Sequence, residues 1–248
     1  MNSVIEFKNV SKIYGDNTVL KDFDLSIEKG EFLTVIGSSG SGKTTMLKMI
    51  NSLIEPSGGD VFVDGVNNKD VDKIKLRRNI GYAIQGSVLF PNMNVEKNIA
   101  YVPNLLNKKD KERTKKAVEK WMGIVGLEDS FRERYPDELS GGEAQRVSIA
   151  RSLAASPEIL LMDEPFGAVD EITRMKLQDE ILKVYNKTDI TIVFITHDIK
   201  EAFKLGTKIL IMDKGKIEQY GTKEEILNNP GSEFVRNLIK SVGGVGNE

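Results

Sequence analysis

The octapeptide Gly37-Ser38-Ser39-Gly40-Ser41-Gly42-Lys43-Thr44 limits what this chain can become more than any other stretch. It follows "FLTVI", a nearly continuous apolar run of the kind a parallel sheet buries on both faces, and leads into "KTTMLKMINSL", whose apolar spacing is helical. Strand, glycine-rich loop and helix in that order form a cradle in which backbone N–H groups and a positive helix end face phosphate oxygens. Lys43 is placed to reach β- and γ-phosphates, and the Thr44 hydroxyl to hold Mg²⁺. Such a unit predicts an α/β fold whose further strands run parallel and are joined by crossover helices.

The rest of the chain follows that plan. "VIEF" and "LKDFDLSI" alternate as strands before the loop, and "VFVDG" and "IGYAIQ" read as strands after it. From about Val95 to Ala155 the pattern is mostly helical, interrupted at Pro103 and Pro136; "EILLMDE", "TIVFIT" and "KILIM" then return as buried strands, separated by helical stretches at about 171–186 and 198–205. The expected architecture is a single α/β domain over 1–248. Its P-loop NTPase core, with a parallel sheet and an N-terminal antiparallel β portion, covers about 1–86 and 158–221. A helical subdomain is inserted at about 87–157, and a helical tail runs from 222 to 248, where Thr222 caps a helix that a Pro-Gly break separates from a second one.

Two further strand ends carry chemistry. "ILLMDEP" ends a buried strand in Asp163 and Glu164, at the carboxyl edge where open α/β sheets bind ligands. Asp163 suits the Mg²⁺ shell, and Glu164 suits polarising a water for in-line attack on a γ-phosphate. "TIVFITHD" places His197, the single histidine, just past a third strand, where it fits a γ-phosphate contact. A fourth feature, "LSGGE", sets Ser140 to cap a helix beginning near Gly141. The helix N–H groups are then left for an anion arriving from outside. With no cysteine, disulfides are excluded, and one histidine is too few for a structural zinc site, so any metal is held by oxygen. Lys and Arg number 35 against 37 Asp and Glu, a net charge of −2, whereas nucleic-acid-wrapping chains are usually more basic. The charged stretch "NKKDKERTKK" has mixed signs and the spacing of a solvated amphipathic helix face, with Trp121 on its core side. No signal-peptide pattern and no run near 18 apolar residues is present, so the chain is expected to be neither exported nor membrane-spanning.

"GSSGSGKT", Gln85 in "IGYAIQ", "LSGGE", "LLMDEP", "GAVD" and "ITHD" come in the order and spacing of the ATP-binding cassette ATPases, and the chain resembles that family over nearly its whole length. The resemblance implies a nucleotide site of Tyr14, stacking on adenine, with Gly37, Ser38, Ser39, Gly40, Ser41, Gly42, Lys43, Thr44 and Thr45 around the phosphates of ATP. It implies Mg²⁺ held by Thr44, Gln85 and Asp163, and catalysis by Glu164, His197 and Gln85. Ser140, Gly141, Gly142 and Glu143 would meet the γ-phosphate held by a partner copy, with Asp170 crossing the interface of a head-to-tail homodimer. Glu143 departs from the family, which usually has glutamine there, and adds a negative charge near an incoming triphosphate.

The segment near 86–101 matches the one that docks on a membrane permease subunit, and "LFPNMNVEKNIA", "DEPFGAVDEITR" and "YGTKEEILNNPGSEFVRNLI" look most like importer ATPases for osmoprotectants and other quaternary amines. An external substrate-binding protein would take part indirectly, and the chain would sit on the cytoplasmic face of the cell membrane. Many such ATPases carry a regulatory domain after the tail, and here any such sensing is expected to be missing or to lie in another subunit. Two other readings lack their sequence features. A soluble cassette ATPase acting on nucleic acid would need a coiled-coil insertion, a DNA-binding domain or a second cassette. A phosphate-loop kinase of small molecules would have no use for "LSGGE".

Overall fold

A computed structural model of the chain describes residues 3–84, 86, 88–107 and 110–241. The chain divides into two compact units, one built from the residues up to Leu76 together with those from Thr191 onward, the other from Arg77–Ile190.

In the first unit, β1 (Ser3–Tyr14) and β2 (Asn17–Glu28) form a long antiparallel hairpin, with β4 (Gly58–Val63) on the other side of β1 and the short β5 (Val66–Asn67) beyond it. The hairpin turns through Gly15 and Asp16, with Gly15 at φ +56°, a conformation glycine adopts without cost. Phe7 and Phe23 are buried and their rings meet edge-on at 5.4 Å, and a register shift between Phe7 and Val10, with Asn9 at φ +49°, turns Val10 inward as well. The continuous apolar runs become β3 (Phe32–Gly37) and β8 (Thr191–Ile195), parallel neighbours, with β9 (Lys208–Asp213) parallel on the other flank of β3. β10 (Lys216–Gly221) returns antiparallel to β9 through Lys214 and Gly215, both at positive φ, as a two-residue hairpin requires.

Helix α1 (Lys43–Ile50) buries Met46, Leu47, Met49 and Ile50 and stops three residues short of the helical run read from the sequence. Ser52 enters the left-handed region at φ +56°, and the Leu53 and Ser52 N–H groups return to the Lys48 and Met49 carbonyls. That pair of bonds closes the helix as a Schellman motif. The tail forms as read: Thr222 and Glu225 make a reciprocal capping box at α8 (Lys223–Asn228), and α9 (Glu233–Ser241) follows the break. Val235, Phe234 and Leu238 of α9 pack on a cluster containing Ile36, Ala202 and Ile211. Residues 242–248 of the tail lie outside the described residues.

The second unit holds the helical segment together with two parallel strands, β6 (Ile80–Ala83) and β7 (Ile159–Asp163). A short helix, α2 (Lys73–Asn79), precedes β6. Helices α3 (Val95–Asn107), α4 (Lys111–Ile124) and α5 (Gly141–Leu153) pack on one another, and Trp121, at 3% exposure, is core as its spacing indicates. Asp110 caps α4 by accepting the Arg113 N–H. Helix α6 (Glu171–Lys187) belongs to the same unit, whose bounds therefore lie outside the 87–157 segment drawn from helical periodicity. Among the described residues no helix is long and apolar enough to cross a membrane.

Candidate functional site

The phosphate loop leaves β3 at Gly37 and enters α1 at Lys43. A β-carbon at Gly37 would lie 1.9 Å from the Met212 carbonyl oxygen, and one at Gly42, at φ +96°, 2.6 Å from a Leu20 methyl group, so strand β9 and hairpin strand β2 press on the loop from two sides. Ser38 Oγ donates to Asp213 Oδ1 at 2.5 Å, pinning the loop to the end of β9. Lys43 folds over the loop and donates to the Gly37 and Ser38 carbonyls at 3.0 and 2.8 Å. Its ammonium is thereby held at the mouth of a helix whose first turn contains no acidic residue and whose N-cap, Gly42, contributes no side-chain oxygen. Both features leave the helix end to an anion.

His197 emerges at the same level. Val35 is in register with Ile195, so Gly37 and His197 each stand two residues beyond a paired position on parallel strands. The turn carrying His197 is fixed on both sides. Thr196 Oγ1 donates to the buried Glu201 carboxylate at 2.5 Å and accepts the Asp198 N–H at 3.0 Å, while Asp198 caps α7 (Ile199–Leu205). His197 itself is exposed. Tyr14 stands at the end of the β1–β2 hairpin with 46% of its surface exposed, two residues past Lys12, which pairs with the Leu20 that abuts Gly42. The Lys12 ammonium lies 4.9 Å from the Tyr14 ring centre and donates to the Glu55 carbonyl. Phosphate loop, His197 and an exposed aromatic are thus assembled on one unit.

The carboxylates belong to the second unit. β7 is buried along its length and ends in Asp163, which is 2% exposed; Glu164 follows, half-buried, at φ +46°. Burial, with the Asp163 carboxylate nearby, pushes the Tyr82 hydroxyl on adjacent β6 above its ordinary range. Gln85 lies outside the described residues. Thr44 on the first unit and Asp163 on the second each offer an oxygen donor of the kind Mg²⁺ takes, and among the described residues no group of three or more His, Cys, Asp or Glu is placed to hold a metal by itself.

Ser140 caps α5, its Oγ accepting the Glu143 N–H at 3.3 Å, and the Glu143 carboxylate accepts the Ser140 N–H at 2.7 Å. This reciprocal box, first through its bond to the Ser140 backbone, holds the Glu143 carboxyl below the usual carboxylate range. Gly141 and Ser140 are exposed at that helix end. Asp170 caps α6, accepting the Thr173 N–H at 3.0 Å, a bond that lowers its carboxyl pKa.

Residues that sequence patterns did not single out complete the picture. Asn98, fully buried, accepts the Phe90 N–H and donates towards the Phe90, Met93 and Asn94 carbonyls, latching the segment before α3. Arg151 donates to the Val88 carbonyl at 2.7 Å and lies over the Phe90 ring, its pKa lowered by burial. Val88, Phe90, Tyr101 and Arg151 border a cavity of about 410 Å³. Gln145 bridges the Glu164 carbonyl and the Ala168 N–H. Its one sequence signal is a glutamine on the stripe it shares with Ile149 and Ser152 of α5, both buried.

The chain is 48% identical over 237 residues to the glycine betaine/carnitine/choline transport ATP-binding protein OpuCA of Bacillus subtilis, covering 95% of this chain and 62% of that one. The figures are the same for the choline transport ATP-binding protein OpuBA of that organism, so the chain spans less than two thirds of the length of these two relatives. It is 45% identical to the glycine betaine uptake system ATP-binding protein YehX of Escherichia coli, covering 95% of this chain and 76% of that one. A dimeric structure of the ATP-binding cassette MJ0796 in a post-hydrolysis state, bound to ADP and Pi, superposes with a TM-score of 0.81 at 34% identity, over 88% of this chain and 98% of that one. The model of the ABC transporter family matches residues 20–167, from beside the phosphate loop through Asp163 and Glu164, and the chain belongs to that family.

Proposed function

We propose that the chain hydrolyses ATP as the nucleotide-binding subunit of an importer, working as a head-to-tail homodimer. The observation that carries this reading is the α5 N-terminus. Ser140 and Glu143 cap it from within the chain, Gly141 stands exposed at the same end, and the chain already owns a complete phosphate loop. A second anion-facing helix end is explained if it serves the nucleotide of a partner copy.

In this mechanism Tyr14 stacks on adenine, and the N–H groups of Ser39 to Thr45 surround the phosphates. Lys43 turns from the Gly37 and Ser38 carbonyls to the β- and γ-phosphates. Thr44, Gln85 and Asp163 would hold the Mg²⁺ that accompanies ATP, which would neutralise charge on its phosphates. Glu164 accepts the proton of the attacking water as its oxygen bonds to the γ-phosphorus and the bond to the β-phosphate oxygen breaks, releasing ADP. His197 steadies the γ-phosphate. Two ATP molecules held between the copies favour closure; hydrolysis removes the γ-phosphate contacts to Ser140 and Gly142 and favours opening. Asp170 lies at the dimer seam.

The permease docks along 86–101, where Val88, Phe90 and Tyr101 expose apolar surface beside the 410 Å³ cavity. That contact places the chain on the cytoplasmic face of the membrane, with a substrate-binding protein outside. The relatives' names favour a quaternary amine osmoprotectant as solute. Paired variants test the trans assignment: Lys43→Ala abolishes ATP binding by the dilute monomer, whereas Ser140→Arg leaves it intact and abolishes dimerisation and turnover. Equal loss of monomer binding in both would refute it.

A further inference from the structure

Gln145 lies five residues past the Ser140 cap, on the buried side of α5, with 5% of its surface exposed. Its amide is used at both ends. Nε2 donates to the Glu164 carbonyl at 3.3 Å, and Oε1 accepts the Ala168 N–H at 2.8 Å. The Gly167 N–H shares the Glu164 carbonyl at 3.3 Å. Glu164 sits at φ +46°, in the left-handed region that a residue with a β-carbon occupies only when its surroundings hold it there. The loop so held is also in touch with the first turn of α5, one turn before Gln145. A β-carbon on Gly142 would come within 3.2 Å of the Ala168 carbonyl oxygen, and one on Gly141 within 3.6 Å of the Ala168 methyl group.

We propose that Gln145 is a positioning residue for hydrolysis: its single amide fixes the left-handed backbone from which Glu164 projects and ties that backbone to the helix end that receives the partner's nucleotide. The inference rests on the assignments of Glu164 as general base and of the α5 end as a site in trans. A side chain aimed from a backbone that can relax loses its line to the water, and a misplacement of about 1 Å can cost on the order of a hundredfold in rate. Neither bond reaches the phosphate loop, so nucleotide binding by the monomer is indifferent to Gln145. The joint also means that a displacement of α5, when its N-terminus engages or releases a γ-phosphate, is passed to Glu164 through this side chain together with the Gly141–Gly142 contact on Ala168.

The test is a double-variant cycle on the purified chain with Mg²⁺ and ATP. Gln145→Met keeps the volume and removes both hydrogen bonds. It should lower kcat at least about tenfold, with KM and monomer ATP affinity within about twofold of the parent. Acting through Glu164, it should add nothing in the Glu164→Gln background: single-turnover hydrolysis by the double variant should equal that of Glu164→Gln alone. Gln145→Glu sets an oxygen against the Glu164 carbonyl while retaining the acceptor for Ala168, and should show the same non-additivity if Gln145→Met fails to fold. A kcat within twofold of the parent, or a loss that multiplies in the double variant, overturns the positioning role while leaving Glu164 as base. Near-parental turnover by Glu164→Gln itself overturns the catalytic reading and this inference with it.

Discussion

Replacing Glu143 by glutamine should move two measurements in opposite directions. In the free subunit the carboxylate accepts the Ser140 N–H at 2.7 Å while its own N–H bonds Ser140 Oγ. Glutamine can keep that reciprocal geometry, since either residue closes a capping box. What is lost is the charge at a helix N-terminus, roughly 0.3 to 1 kcal/mol for an exposed group. At this chain length 1 kcal/mol corresponds to roughly 2–4 °C in Tm, so the free variant should melt at most about 4 °C lower. In the closed dimer the carboxylate is fastened to Ser140, a residue assigned to meet the partner's γ-phosphate. At an effective dielectric near 20, one unit charge at about 8 Å repels it by roughly 2 kcal/mol. Mg²⁺, the partner's Lys43 and residual water offset about half, leaving about 1 kcal/mol, or roughly fivefold in the dimer constant. Analytical ultracentrifugation in the hydrolysis-dead Glu164→Gln background, with and without Glu143→Gln and at two ionic strengths, reads this directly. The gain should shrink with added salt, because separated exposed charges are screened. Equal or weaker dimerisation of the double variant, or a gain indifferent to salt, would refute the electrostatic argument.

Glu164→Gln itself should bind ATP and Mg²⁺ yet turn over at least about a hundredfold more slowly, and should accumulate as an ATP-dependent dimer. Gel filtration showing only monomer, together with near-normal turnover, contradicts the assigned role. Asn98→Ala removes two donated hydrogen bonds and the one accepted from the Phe90 N–H, besides a long 3.5 Å contact from Arg151; at about 1 kcal/mol for each of the three bonds it should lower Tm by roughly 6–12 °C with ATP binding retained. A drop under about 2 °C means the latch carries no stability. Glu143, Asp170 and Glu225 each have a folded pKa depressed chiefly by a bond from a helix N-terminal N–H. Their contribution is therefore full above the unfolded carboxyl values and is lost as pH falls through the folded ones, so Tm should decline below about pH 4.5. Buried Glu31, with its pKa raised by desolvation, acts in the opposite sense, losing its contribution as pH rises through its folded value. Amide replacements at the three capping carboxylates should flatten the acid limb, and an unchanged limb would dissociate capping from acid unfolding.

What was legible in the sequence is what local patterns encode. Gly37 and Gly42 stand where strands β9 and β2 leave no room for a β-carbon, and Ser140, Asp170 and Thr222 cap the helices that their sequence neighbours begin. Strand β10 escaped because "KIEQYG" has no buried face to alternate against; it forms by pairing with β9, and its Tyr220 hydroxyl bonds the Glu31 carboxylate 189 residues away in sequence. Helix α2 buries only Leu76 and so carries too little periodicity to read. The second unit extends beyond the helical segment at 87–157 for a related reason. Helical periodicity marks where helices run, but β6 and β7 join that unit by pairing with each other, and such pairing leaves no local trace. Side-chain bonds to distant backbone are the least legible of all. Asn98 and Gln145 each read as a polar residue within a helical stretch, and only the fold shows one closing on the Phe90–Asn94 segment and the other on both ends of the Glu164–Ala168 loop. Motifs therefore mark candidate residues, while the side-chain bonds that hold their backbone become visible only in the fold. Glu164 illustrates the division: its carboxylate follows from "LLMDEP", but its left-handed backbone depends on an amide that the chain supplies nineteen residues earlier.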